Sequence, residues 1–263
     1  MQTAVAENPL ALQIIKHSCR TLWRSTLLLL YVLITLTVVP ILFMPGVRKL
    51  PYTRQFASFF YRRIYRALNI KLVITGTPVK ESALWVCNHI SWLDIILLAG
   101  SYTVDFIAKS DVEKWPFIGF LVRISGTLLI NRDNKFQAYR SLPALQQRLA
   151  KGTPVVIFPE GTTTAGKSTL AFKPMFYQAA VRESLLIQPI AIYYLDASGK
   201  TTQSVAFIDQ DSIGTSINRV LQQREITAHI HFLPAIPAHQ HHRKILAKTS
   251  QQDINSVLDR LTE

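Results

Sequence analysis

Between Asn8 and Lys80 the chain has no acidic residue, although that stretch carries eleven Lys or Arg. The full 263 residues have a formal net charge of +13, and residues 1–80 account for +10 of it once Glu7 is counted. An acid-free arm can be drawn to nucleic acid, but such an arm is polar throughout, whereas this one is interleaved with long apolar runs. No nucleic acid is therefore expected as a partner, and an anionic membrane surface is. Cysteine is nearly absent too. Cys19 and Cys87 are the only two, which excludes a disulfide framework and fits a reduced, cytosol-facing compartment. There is no internal repeat and no low-complexity tract. The length suffices for one sizeable core plus an appendage. We divide it into residues 1–80, a membrane-associated segment of one apolar helix and one basic amphipathic helix, and residues 81–263, a single globular domain.

Residues 26–44 form a nearly uninterrupted apolar run, the minimum length for a helix across the hydrocarbon core. Pro40 lies inside it and both flanks are basic, with Lys16, Arg20 and Arg24 before it and Arg48, Lys49 and Arg54 after it. The larger C-terminal cluster favours a cytoplasmic globular domain, while a helix that dips into one leaflet and returns would explain both flanks. A cleaved signal peptide does not fit, because the charged leader is long and no small-residue cleavage site follows. In residues 52–70, Phe56, Phe59, Phe60, Ile64 and Leu68 recur at helical spacing, with Arg54, Arg62, Arg63 and Arg66 available for lipid phosphates. This predicts a helix lying in the interface; an ordinary helix packed on the core with a solvated basic face is the alternative.

Beyond Lys80, short apolar runs alternate with longer amphipathic stretches, the pattern of an α/β domain. Strands are expected at residues 83–87, 104–108, 126–130, 154–158, 185–194, 205–208 and 226–232. A helix continues from Asp94. Another carries Ala138, Leu142, Leu145 and Leu149, starts late or bends at Pro143, and stops at Gly152. From Arg243, the residues Leu246, Ile254, Val257, Leu258 and Leu261 make a helical stripe.

Directly after the first of these strands comes Asn88-His89-Ile90-Ser91-Trp92-Leu93-Asp94. A neutral imidazole can take a proton from an alcohol near neutral pH, and a nearby carboxylate can fix its tautomer and stabilise the imidazolium that results. His89 and Asp94 are thus a candidate general base and its orienter. Three further blocks each end an apolar run in polar groups. Residues 126–132 bring Arg132 to a strand end, where a guanidinium can grip a phosphate bidentately. Phe158-Pro159-Glu160-Gly161-Thr162 offers an acid to orient a substrate hydroxyl and a glycine for close backbone approach. Ile187-Gln188-Pro189-Ile190-Ala191-Ile192 supplies a wall.

These four blocks, in this order, resemble the lysophospholipid acyltransferase family of PlsC type, whose members carry a His-x4-Asp block, a Gly-to-Arg block, a Phe-Pro-Glu-Gly-Thr block and a Pro-containing strand. Phe106-Ile107-Ala108-Lys109 and Trp115-Pro116-Phe117-Ile118-Gly119 are also similar to the family's segment between the first two blocks, and the resemblance covers residues 84–192. It implies a glycerolipid acyltransferase-like central mixed sheet flanked by helices, with an N-terminal membrane-binding helical segment. His89 and Asp94 would be catalytic, and Lys109, Arg132, Glu160, Gly161 and Thr162 would bind substrate. No cofactor or metal would be bound, and the acyl donor would be acyl-CoA or acyl-carrier protein. The expected reaction is acylation of a lyso-lipid hydroxyl, with 1-acyl-glycerol-3-phosphate giving phosphatidic acid, at a bacterial inner membrane with the catalytic domain facing the cytoplasm. One departure bears on the acceptor. Many lysophosphatidic acid acyltransferases have Arg directly after Glu-Gly-Thr, whereas this chain has Thr163; bacterial relatives that acylate lyso-ornithine lipid look like this chain there, so that lipid or another lysophospholipid is the alternative.

Other readings compete. Gly161-Thr162-Thr163-Thr164-Ala165-Gly166-Lys167-Ser168 fits the phosphate-loop pattern, which requires a helix to start near Gly166, although Pro174 follows closely. Cys87 would share a face with His89 on a continuing strand and could accept an acyl group. His239, His241 and His242 have no matching Cys or carboxylate spacing and are assigned to solvent; His229 and His231 are expected on the polar face of one strand. A membrane-bound scaffold that has lost activity is the non-enzymatic reading, and the intact His89/Asp94 pair opposes it.

Overall fold

The computed structural model describes residues 9–42, 44, 53–114, 127–130, 139–208 and 211–261. Helix α1 (Pro9–Leu42) and helix α2 (Thr53–Ala67) precede a mixed sheet. Its strands are β1 (Ile70–Thr75), β2 (Ala83–Cys87), β3 (Asp105–Lys109), β4 (Leu128–Ile130), β5 (Val155–Ile157), β6 (Leu186–Asp196), β7 (Ile226–Phe232) and β8 (Ile236–Pro237). The spatial order is β1-β7-β6-β2-β5-β3-β4, with β8 against the start of β6. Among the described strands, only β6 with β7 and β6 with β8 run antiparallel. Interspersed are α3 (Trp92–Ser101), α4 (Leu142–Leu149), α5 (Tyr177–Arg182), α6 (Ile213–Gln222) and α7 (Arg243–Asp259).

The central strand β2, Ala-Leu-Trp-Val-Cys, is buried at every position because parallel neighbours and helices cover both of its faces. On one face Trp85, Cys87, Ile190 and Ile192 meet Tyr65 of α2, Leu93, Leu97 and Leu98 of α3, and Val220 of α6. On the other, Leu84, Val86 and Ile187 meet Leu142 and Leu145 of α4, Tyr177 of α5, and Leu246, Ile254 and Leu258 of α7. Leu142 opens α4 with Pro143 in its first turn, so the proline that threatened the predicted helix starts it. Strand β7 alternates buried and half-buried residues, leaving His229 and His231 together on its second face. There His229 stacks on Tyr193 at 4.5 Å and His231 Nδ1 lies 2.6 Å from the Thr75 hydroxyl.

Two strand assignments differ from expectation. Residues 205–208 are buried or half-buried but form no strand; the Phe207 N–H instead donates to the Ile90 carbonyl at 2.9 Å. A short apolar run buried under a loop has the same periodicity as a buried strand. Conversely, the basic amphipathic helix ends at Ala67 rather than Ile70. Asn69 adopts φ 58°, reversing the chain into β1, which pairs in parallel with β7 ahead of residue 81. Helix α2 packs on α3, with Ser58 Oγ donating to the Ala99 carbonyl and Arg62 to the Gly100 carbonyl, both at 2.8 Å. Phe56 and Phe59 stay exposed. Helix α1 is held through Arg24, whose guanidinium donates to the carbonyls of Gln223 and Arg224 just past α6.

Candidate active site

Ligand sites in sheets of this kind lie beyond the carboxyl ends of parallel strands, and β2 and β5 end side by side, with Val86 opposite Ile157. Past the end of β2, the buried Asn88 side chain continues the pairing with β6: its amide donates to the Ile192 carbonyl at 2.8 Å and its oxygen accepts the Ile192 N–H at 2.7 Å. The next residue, His89, thereby leaves the sheet at a fixed point. Its ring stacks on Phe158 at 3.9 Å between centroids, and its side chain is 16% exposed. Nδ1 lies 2.8 Å from Asp94 Oδ2.

Asp94 is in the first turn of α3 and wholly buried. The same Oδ2 accepts the main-chain N–H groups of Ile90 at 2.7 Å and Ser91 at 2.9 Å, which ties the carboxylate to the helix N-terminus, where a negative charge is favoured. Its other oxygen accepts a hydrogen bond from the Tyr194 hydroxyl at 2.6 Å. An acceptor at Nδ1 fixes the tautomer that carries its proton there and leaves Nε2 basic.

Glu160 sits beneath this pair. Only 2% of it is exposed; Oε1 accepts the His89 N–H and Oε2 the Leu170 N–H, each at 2.8 Å. Burial pushes its carboxyl up to about 7, against the lowering effect of those two hydrogen bonds and with Asp94 adding to the rise. The sequence suggested an acid that orients a substrate hydroxyl; in the structure each oxygen accepts a main-chain N–H. Gly161 has φ 82°, a left-handed conformation that favours glycine, while the Lys173 amine that a Cβ would meet at 2.6 Å is the end of a flexible chain and can swing aside. Thr163 donates to the Phe207 carbonyl and the Thr164 N–H donates to the His89 carbonyl at 2.8 Å.

Of the remaining candidates, Thr162 lies exposed on the Glu160 turn, and Lys109 ends β3 in an ion pair with Asp111 at 2.7 Å. Arg132, with the 115–119 segment, falls outside the described residues. The phosphate-loop reading fails: no helix begins between Gly161 and Tyr177, and Thr163 and Thr164 bond the carbonyls of Phe207 and His89. The nucleophile reading of Cys87 fails too, since burial first, and the nearby Asp94 charge second, push its thiol well above the ordinary range. His242 caps α7, accepting the Lys244 N–H. Tyr194 and Asn88 went unnoticed as site residues in the sequence. Asn88 stood inside the His89 block, but nothing short of strand register signals that Tyr194 reaches Asp94.

Together these define an α/β enzyme with an imidazole–carboxylate pair at the carboxyl end of its central strand. A family model described as Acyltransferase matches residues 69–193. A lyso-ornithine lipid O-acyltransferase of Pseudomonas aeruginosa is 32% identical over 218 residues, covering 82% of this chain and 83% of the relative. A 1-acyl-sn-glycerol-3-phosphate acyltransferase of Neisseria meningitidis is 30% identical over 201 residues, covering 75% and 78%. The crystal structure of PlsC, the 1-acyl-sn-glycerophosphate acyltransferase of Thermotoga maritima, has the same fold, with a TM-score of 0.69 at 20% identity over 94% of this chain and 97% of that one. The chain belongs to the PlsC-type lysophospholipid acyltransferase family.

Proposed function

We propose that this protein moves a fatty acyl group from an acyl thioester, carried by coenzyme A or acyl-carrier protein, to the free hydroxyl of a lyso-lipid. The observation that carries this reading is the His89 ring, held at Nδ1 by a buried carboxylate and stacked on Phe158. Nε2 takes the proton as the hydroxyl oxygen attacks the thioester carbonyl; the tetrahedral intermediate then expels the thiolate, which recovers the proton from the imidazolium. Asp94 stabilises the ring while it is charged. No acyl-enzyme forms.

The sequence favoured 1-acyl-glycerol-3-phosphate as acceptor. Two observations support lyso-ornithine lipid as the second reading: Thr163 stands where many phosphate-acceptor enzymes have Arg and spends its hydroxyl on Phe207, and Lys109 is paired with Asp111. The relatives include enzymes named for each acceptor.

Substrates of this kind reside in a bilayer. Exposed Leu29, Leu30, Leu33, Leu36 and Ile41 of α1, with Phe56 and Phe59 of α2, form the apolar surface suited to reach it. Both helices return to the same domain, α1 at Arg24 and α2 at Ser58 and Arg62. Beyond Leu28, which packs against the core, residues 29–42 rise only about 21 Å, against about 30 Å of hydrocarbon. On this reading the pair dips into the leaflet nearest the domain, which faces the cytoplasm of a bacterial inner membrane.

The test supplies one labelled acyl thioester with a panel of acceptors and identifies the lipid product. His89→Ala should lower turnover by about a hundredfold or more while vesicle binding persists. Turnover surviving in that variant would remove the proposed base, and equal rates with acceptors that have and lack a phosphate would remove any phosphate clamp.

A further inference from the structure

A buried carboxylate has about four lone-pair sites to satisfy, and Asp94 is fully buried, so these must be met by the protein or by trapped water. Three N–H groups converge on Oδ2, while Oδ1 is served by the Tyr194 hydroxyl. Tyr194 is 2% exposed. It lies on β6 two residues beyond Ile192, the residue that Asn88 clamps, and shares the face of the sheet that packs on α3 with Ile190 and Ile192. The register that fixes where His89 leaves β2 therefore also fixes where this phenol meets α3. Its ring is core, but its hydroxyl has no packing function that phenylalanine would not serve.

We propose that Tyr194 is a positioning residue for the His89–Asp94 pair: its hydrogen bond holds the carboxylate with Oδ2 toward the imidazole and withdraws charge from it, so that the ring becomes a proton acceptor at a lower pH than it otherwise would. This rests on His89 acting as the base. A carboxylate that receives more hydrogen bonds is less basic and attracts the imidazole proton less strongly. Without the phenol, Asp94 pulls harder on the imidazolium and the neutral ring is reached only at higher pH. The other titratable groups facing Asp94 are His89 on its own loop, Cys87 from β2 and Glu160 from the turn after β5. Of these, Glu160 has its carboxyl pushed up to about 7 by burial, so its contribution must be separated.

The experiment measures kcat and kcat/KM against pH for wild type and Tyr194→Phe, each repeated in a Glu160→Gln background. Losing a hydrogen bond to a charged group predicts a kcat lower by about tenfold or more with KM little changed. The acid limb should also move up by about half a pH unit to one unit in both backgrounds. If Tyr194→Phe folds poorly, 3-fluorotyrosine at position 194 decides, because a more acidic phenol is a stronger donor and must move the limb the other way. A lower rate with an unmoved acid limb would assign Tyr194 to packing alone and overturn the proposal, as would an unmoved limb in the fluorotyrosine protein. Failure of the underlying reading looks different: His89→Ala would turn over normally whatever occupies position 194.

Discussion

At the scale of the residue, Glu160 shows how a conspicuous acid can serve the main chain. It joins His89 to Leu170 through two N–H groups, and so ties the loop that carries the imidazole to the far end of the 160–170 loop. Its burial has a consequence for pH. The carboxyl is raised from the ordinary 4.5 to about 7, so between these values the folded chain keeps a proton that the unfolded chain has already lost. Stability from this group is complete below about 4.5 and falls as pH rises through 7. Urea midpoints measured from pH 5 to 7.5 should therefore decline for wild type relative to Glu160→Gln. The variant keeps an acceptor for His89 but has no proton to lose. Parallel profiles would show that Glu160 is ionised throughout. Residue chemistry made the pairing of His89 with Asp94 legible in advance, because an imidazole and an acid five positions apart flank the start of the helix that follows an apolar strand. The same chemistry did not reveal the main-chain partners of Glu160, since the direction in which a side chain points is not written in its type.

At the scale of the element, the contact of α2 with α3 decides how the basic N-terminal segment meets the domain. Gly100 permits it: a Cβ there would lie 3.2 Å from Tyr65 Cε1 and 3.3 Å from Tyr61 Cβ. Gly100→Leu forces these helices apart and should cost about 1–3 kcal/mol, read as a lower urea midpoint at unchanged slope. A wild-type midpoint would mean that α2 is not seated there. The α2 periodicity was visible in the sequence, as was the alternation of β7. The end of α2 was not, because the apolar pattern runs on through Leu68 and Ile70, and only the left-handed turn at Asn69 separates helix from strand.

At the scale of the molecule, the hydrophobic residues of α1 divide between the domain and the outside. Arg24 and Leu28 face the domain; Trp23, Leu30 and Leu33 do not. Because α1 and α2 both dock on the sheet domain, Cys19, exposed on α1, must lie on the domain's side of any bilayer, while Cys87 is buried and silent. A membrane-impermeant maleimide should therefore label Cys19 of vesicles carrying the protein only from the face that exposes the domain. Labelling from the opposite face would mean that α1 crosses, and that the docked arrangement does not persist in lipid.

Local composition and order sufficed for the acid-free basic arm, the α/β alternation, the His89–Asp94 pair and the four blocks that carry the family resemblance. Each is a property of neighbours along the chain, where period, charge and side-chain chemistry act over a few residues. The tertiary structure alone decided that Tyr194 completes the shell of Asp94, that Glu160 turns inward, that residues 205–208 cover the loop after His89 without joining the sheet, and that Ile70–Thr75 does join it. All four depend on strand register and on which buried polar groups must find partners. Those conditions couple residues about a hundred positions apart, as Asp94 and Tyr194 are, and they are met only when the whole sheet assembles.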